Sequence, residues 1–301
     1  MGKSKRKGLW LPVLTAMAAA TLSAGCTSTY EARESESTSP PPNDGLNSTL
    51  WALRSAEYDA VALSIYRSAA ASLAMGIKDV SWTALEEQSG QAGYTELPPA
   101  VILDVDETVL DNGRYQARLL MRNESYASES WLDWVLEERA TPIPGALEFT
   151  RRADAAGVTV IYLTNRRGNM EEATRRNLTD LGFPIDTTFD VVLTRGERPE
   201  WSRGEKTSRR EFVAEHYRVI ALIGDNLGDF VEVDDLSLPE RDYEVDGRRS
   251  LWGSRWFMLP NPQYGSWESA SFGDRYDLTD SERRRLKIQA LEDLSTETAP
   301  P

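Results

Sequence analysis

The sequence predicts a three-layer α/β fold with a parallel central sheet and a small, mainly helical cap. Two patterns predict it. Apolar runs of strand length at residues 100–105, 158–163, 191–193 and 218–223 alternate with segments of helical periodicity at 169–181 and 205–216, and strands separated in this way pair in parallel through right-handed crossovers. Polar clusters stop three of these runs, and in open α/β sheets ligands gather at the carboxyl ends of strands. A chain of 301 residues, 40% of them hydrophobic, is long enough for one large domain, or for a core with a smaller cap.

The first residues read differently. Lys3, Lys5, Arg6 and Lys7 precede an uncharged apolar run at 9–22, too short to span a bilayer comfortably and followed by small residues, which is the pattern of an export signal. Cys26, the only cysteine, directly follows Leu22-Ser23-Ala24-Gly25. This resembles a lipoprotein cleavage box with its leucine one position early, so Cys26 is expected to be acylated and to anchor the chain to a membrane. With a single cysteine, disulfides and a thiolate metal site are excluded. Residues 26–46, rich in Ser, Thr, Glu and Pro, read as a disordered tether.

The folded body is expected over 47–293, with helical cap elements at about 47–95 and 113–140, followed by a disordered tail at 294–301. Asn47-Ser48 is expected to cap a helix running to about 75 on an apolar face of Trp51, Tyr58, Ala62, Ile65, Ala69 and Leu73. A second helix is expected over 81–88, and others over 131–138 and 147–156. The chain carries 34 Lys+Arg, four of them in the leader, against 48 Asp+Glu. An acidic exterior of this kind argues against nucleic acid or anionic lipid as the main partner.

The chemistry lies at the strand ends. Asp104-Val105-Asp106-Glu107-Thr108 sits where a buried run breaks into a loop, and two carboxylates there repel unless a cation lies between them. Mg²⁺ fits, since it takes few protein carboxylates and keeps positions for phosphate and water. Gly224-Asp225-Asn226-Leu227-Gly228-Asp229 follows another apolar run and brings Asp225 and Asp229 to the same edge if the strands are neighbours. Between them, Thr164-Asn165-Arg166 offers a hydroxyl and amides to phosphate oxygens. Lys206, the only lysine between Lys78 and Lys287, adds a compact charge at the start of an expected helix. His216, the only histidine, sits near an expected helix end and reads as structural, which disfavours a histidine-phosphatase mechanism.

In order, Asp104 to Thr108, Thr164, Lys206 and Asp225 to Asp229 resemble the four motifs of the haloacid dehalogenase (HAD) superfamily. The stretches from Asp104 to Tyr115, Gly224 to Phe230 and Met258 to Glu268 are similar to those of class C bacterial acid phosphatases, a group that includes outer-membrane lipoprotein 5′-nucleotidases. The resemblance implies a HAD-like fold and hydrolysis of a small phosphate monoester, with a nucleotide as first choice. Asp104 would be the nucleophile and Asp106 the acid and base. Asp104, Asp106 through its carbonyl, and Asp225 would hold Mg²⁺, with Asp229 behind them. Thr164, Asn165 and Lys206 would bind the phosphoryl oxygens, and Trp131 and Tyr264 would sandwich a nucleobase. Thr27 after Cys26 points to the outer membrane in a Gram-negative cell, and long amphipathic cap helices could support a homodimer.

Gly113-Arg114 departs from the family's usual Ser-Pro before Tyr115, which is expected to alter the substrate mouth. Two other readings stand beside this one: a surface-binding lipoprotein whose phosphatase pocket is vestigial, and a phosphatase of broad or sugar-phosphate specificity. Intact Asp104, Asp106, Lys206 and Asp225 weigh against the first, because buried acids are costly to keep folded without their ion.

Overall fold

The computed structural model describes residues 43–296. The signal segment, Cys26, most of the tether and residues 297–301 lie outside the described residues. The described residues begin with α1 (Leu46–Arg54) and α2 (Ala56–Lys78) rather than one helix. Ser55 leaves helical geometry at φ −86°, ψ 136°, and its hydroxyl accepts the Tyr58 N–H at 3.1 Å. A serine in this role restarts a helix as its N-cap. The start also differs, because Gly45 precedes α1 and Asn47 and Ser48 lie within it.

Buried Tyr58, Ala62, Tyr66, Ala69 and Leu73 line the inner face of α2, which packs on the central sheet and on the later helix α5. That makes α2 a layer of the body instead of a cap element. No helix forms over 81–88. Arg218 draws the chain into turns there, donating to the carbonyls of Gly76 (2.7 Å), Asp79 (3.2 Å) and Trp82 (2.9 Å). The buried Gln88 side chain then donates to Tyr217 O at 2.8 Å and accepts from Val219 N at 3.1 Å. These tertiary bonds outweigh a weak local helical preference.

β1 (Pro99–Leu103) leads through the short β2 (Leu110–Asp111) to α3 (Gly113–Arg122) and α4 (Ser128–Leu136). β3 (Thr141–Pro142) returns antiparallel to β2. Then come α5 (Ala146–Ala155), β4 (Thr159–Arg167), α6 (Glu171–Leu181), β5 (Val192–Arg195), α7 (Thr207–Ala214) and β6 (Arg218–Gly224). The remainder is α8 (Leu238–Gly247), β7 (Trp256–Met258), α9 (Ser266–Ala270) and α10 (Asp280–Thr296). α10 passes the boundary expected for the tail at 293.

The sheet runs β5-β4-β1-β6-β7, with every pair parallel. Because the chain steps one way from β1 through β4 to β5 and then back to β6, right-handed crossovers place α5 and α6 on one face and α7 on the other. Every residue of β6 is buried, and full burial of side chains such as its Val, Leu and Ile contributes about 1.5–3 kcal/mol each. β7, not expected from the sequence, is three residues long; its Trp256 is buried and donates to Ala84 O at 2.7 Å.

Candidate active site

Leu103 is in register with both Tyr162 of β4 and Ile223 of β6. Asp104 therefore follows directly on one strand, while Thr164 and Asp225 follow two residues past its partners. Lys206 enters from the N-terminal end of α7. Its ammonium donates to Asp104 Oδ1 and, at 2.7 Å, to Asp229 Oδ1.

Asp229 folds back so that Oδ2 accepts the N–H groups of Asp225 (3.1 Å) and Asn226 (3.0 Å). Gly224 permits this, because a Cβ there would lie 2.3 Å from Asp229 Oδ2. Asp225 accepts from Thr108 Oγ1 at 3.2 Å and from Asn261 Nδ2 at 2.8 Å.

Burial raises the Asp104 carboxyl to about 7; Lys206 opposes this, while the charges of Asp229 and Asp106 add to it. Burial also pushes Asp225 well up, with Asp104 and Asp229 adding, and Asn261 and Lys206 opposing. The Lys206 ammonium is lowered by burial, but the two carboxylates overcome that and leave it raised. Carboxylate oxygens of Asp104, Asp225 and Asp229 lie within 4.8 Å of one another. An all-oxygen donor set carrying more negative than positive charge fits a hard divalent cation.

The Asp106 carboxylate does not join this cluster. Arg166 donates to its Oδ1 through Nε (3.0 Å) and Nη2 (2.8 Å), and Asn112 Nδ2 donates to the same oxygen at 2.9 Å. Its hydrogen bonds to Arg166 and Asn112 hold it apart from the three clustered acids. Thr164 is fully buried, donates to Asp106 Oδ2 at 3.4 Å and accepts the Arg166 N–H at 3.1 Å. Asn165 is exposed; Arg209 donates to its Oδ1 at 2.7 Å, and its Nδ2 donates to Gly204 O at 2.8 Å.

Asp104, Asp106, Asn165, Lys206, Asp225 and Asp229 line one cavity of about 990 Å³, and Trp131 and Tyr264 are also on its walls. Trp131 is 9% exposed. Its ring lies edge-on to Tyr115 at 5.1 Å, and the Arg166 guanidinium is 5.6 Å from its centroid. Tyr264 is half-buried.

Arg166, Asn112 and Asn261 had no assigned role in the sequence reading, yet each grips a site carboxylate. The available signal was a polar or cationic residue within or beside a motif already carrying an acid. Gly113 also finds its reason: a Cβ there would come within 2.4 Å of Leu53 Cδ2, where α3 packs on α1.

A parallel sheet whose strand ends bring an aspartate, a lysine and two further acids into one cavity defines a HAD-type enzyme. Residues 46–267 match the model of the HAD superfamily, subfamily IIIB (acid phosphatase), and the chain belongs to that family of phosphoric monoester hydrolases. The fold is similar to that of the class C acid phosphatase from Bacillus anthracis. A structure of that protein with tungstate bound gives a TM-score of 0.71 at 27% identity, covering 85% of this chain and 98% of the other. A second structure of the same phosphatase gives a TM-score of 0.70. Among curated proteins, vegetative storage protein 1 of Arabidopsis thaliana is 24% identical over 164 residues. The chain spans only 54% of that relative's length.

Proposed function

We propose that the chain hydrolyses phosphate monoesters, with 5′-nucleotides foremost, through a phosphoryl group carried on Asp104. The observation that carries this reading is the seating of Asp104, Lys206 and Asp225 together at the strand-end floor of one cavity. Lys206 holds Asp104 Oδ1, which orients Oδ2 as the attacking atom. As the Asp104 O–P bond forms, the ester P–O bond breaks and protonated Asp106 gives its proton to the leaving oxygen. The Asp106 carboxylate then takes a proton from a water whose oxygen attacks phosphorus, releasing inorganic phosphate and restoring Asp104.

Lys206 and Asn165 oppose the charge on the phosphoryl oxygens. Thr164 stands behind the cradle, its hydroxyl bridging Asp106 and the Arg166 amide. Asp104, Asp225 and the Asp106 carbonyl would hold Mg²⁺, backed by Asp229. When bound, the ion neutralises phosphate charge and aligns the displacement.

Trp131 and Tyr264, both on the cavity wall, are our candidates for contact with the base. The nucleotide preference rests on the class C resemblance. Export, acylation at Cys26, an outer-membrane location and a homodimer remain part of the proposal, supported by the sequence pattern of the leader and by the helical rim.

The test is phosphate release from 5′- and 3′-nucleotides, sugar phosphates and an aryl phosphate, with Mg²⁺ and with a chelator. Preference for 5′-nucleotides, abolished by chelation and weakened in Tyr264→Ala, supports the full reading. Equal turnover of all esters removes the base clamp and keeps the phosphatase. No turnover, together with tight binding of a macromolecule, favours the surface-binding alternative.

A further inference from the structure

The cavity has a second end that the chemistry does not use. Its outer wall is α10, which begins beyond residue 267, where the family match stops. Arg283, Arg284 and Lys287 of this helix line the cavity. α10 is polar, and contacts tie it to three separate parts of the chain around the cavity.

Arg284 donates to Asp44 Oδ2, ahead of α1, at 2.7 Å. Asp280 Oδ2 accepts from Ser125, between α3 and α4, at 3.3 Å. Lys287 donates to Glu268 of α9 at 2.6 Å. The Arg284 and Asp44 side chains are 60% and 65% exposed. Pairs this exposed bind weakly and are screened by salt. The floor of the cavity is thus built from buried bonds, and its outer wall is hung on surface ones.

We infer that α10 is a steric selector for the reaction proposed above. Strapped to the turn ahead of α1 through Asp44–Arg284, it admits phosphate monoesters of small molecules and turns away the same ester carried on a polypeptide. The selection falls on the bulk of the leaving group, because none of the strap contacts involves the residues at the strand ends. Loosening the strap therefore opens the cavity to larger esters without altering the nucleophile or its lysine.

Free phosphotyrosine and a phosphotyrosyl peptide present the same leaving oxygen with different bulk, so the ratio of their kcat/KM values isolates the wall from the chemistry. In the full chain with Mg²⁺, Asp44→Arg and, separately, Arg284→Asp each place like charges across the strap and should raise the peptide-to-free ratio several-fold. The charge-swapped double variant, Asp44→Arg with Arg284→Asp, restores an opposite pair and should return the ratio to the wild-type value. Added salt should raise the ratio in wild type and in the swapped variant, and less in the single variants. A ratio unchanged in both single variants overturns the selector, as does a swapped variant that behaves like the singles. If wild type releases no phosphate from free phosphotyrosine or any other small ester, the proposed phosphatase activity fails, a result distinct from an unchanged ratio.

Discussion

Lys206 and Arg284 are both cations held by carboxylates in the same cavity, and they obey different physics. Lys206 is 5% exposed between Asp104 and Asp229, which are 9% and 8% exposed as side chains. Arg284 is 60% exposed, opposite an equally open Asp44. Water and salt weaken the second pair to about 0–1 kcal/mol. In the first, every charge has left water, so losing the single cation strands two carboxylates at a cost of about 3–5 kcal/mol. The floor is committed to one arrangement, and the rim can change its contacts at little cost.

The largest break in this contrast is at the nucleophile. Asp104→Asn keeps the shape of the side chain but removes the attacking charge, so phosphate release should fall by about 10⁴-fold or more. The same change takes one negative charge out of a crowded cluster. Without divalent ions, the variant should therefore unfold at the same urea concentration as wild type or a higher one. A variant that keeps most of its turnover would move the nucleophile elsewhere.

Lys206→Met comes next. It leaves Asp104 and Asp229 buried without their cation, and metal-free protein should lose about 3–5 kcal/mol in urea unfolding. A loss under about 1 kcal/mol would place Lys206 among the surface pairs and erase the difference between floor and rim. Gly224→Ala should cost about 1–3 kcal/mol, since its Cβ would collide with the Asp229 carboxylate that seats Lys206. Phosphate release should drop with it. Unchanged stability would mean that Asp229 has room to turn away.

The same contrast explains what the sequence revealed. Asp104, Asp225 and Asp229 were legible because strand ends are local: an apolar run, a break and an acid lie within a few residues, and register brings the breaks together. The parallel sheet was legible for the same reason. Ser55 was missed because one capping hydroxyl divides an otherwise continuous helical pattern. The turns over 81–88 were missed because their bonds come from Arg218 and Val219, far along the chain. Arg166 and Asn112 stood within recognised motifs, but their grip on Asp106 depends on how β4 meets the loop after β1. The polar helix α10 has no apolar stripe to announce it, and its partners Asp44, Ser125 and Glu268 are scattered over the sequence.

The smallest expected effect tests the rim directly. Arg118 of α3 donates to Glu137 just past α4, reaching Oε2 at 2.7 Å, with the two side chains 35% and 33% exposed. The hydrogen bond from Arg118 lowers the Glu137 carboxyl below its usual value, against a small opposing effect of burial. A depressed folded-state carboxyl stabilises the fold above its unfolded value of about 4.3, and that contribution disappears as pH falls through the folded value. Glu137→Gln should therefore cost a few tenths of a kcal/mol near neutral pH, about 0.3–0.5, and nothing at about pH 2, where both proteins carry an uncharged side chain. Urea midpoints at the two pH values read this difference. A loss on the order of 3 kcal/mol at neutral pH would show that the rim is built like the floor, and α3 and α4 would then be fixed walls of the cavity rather than adjustable ones.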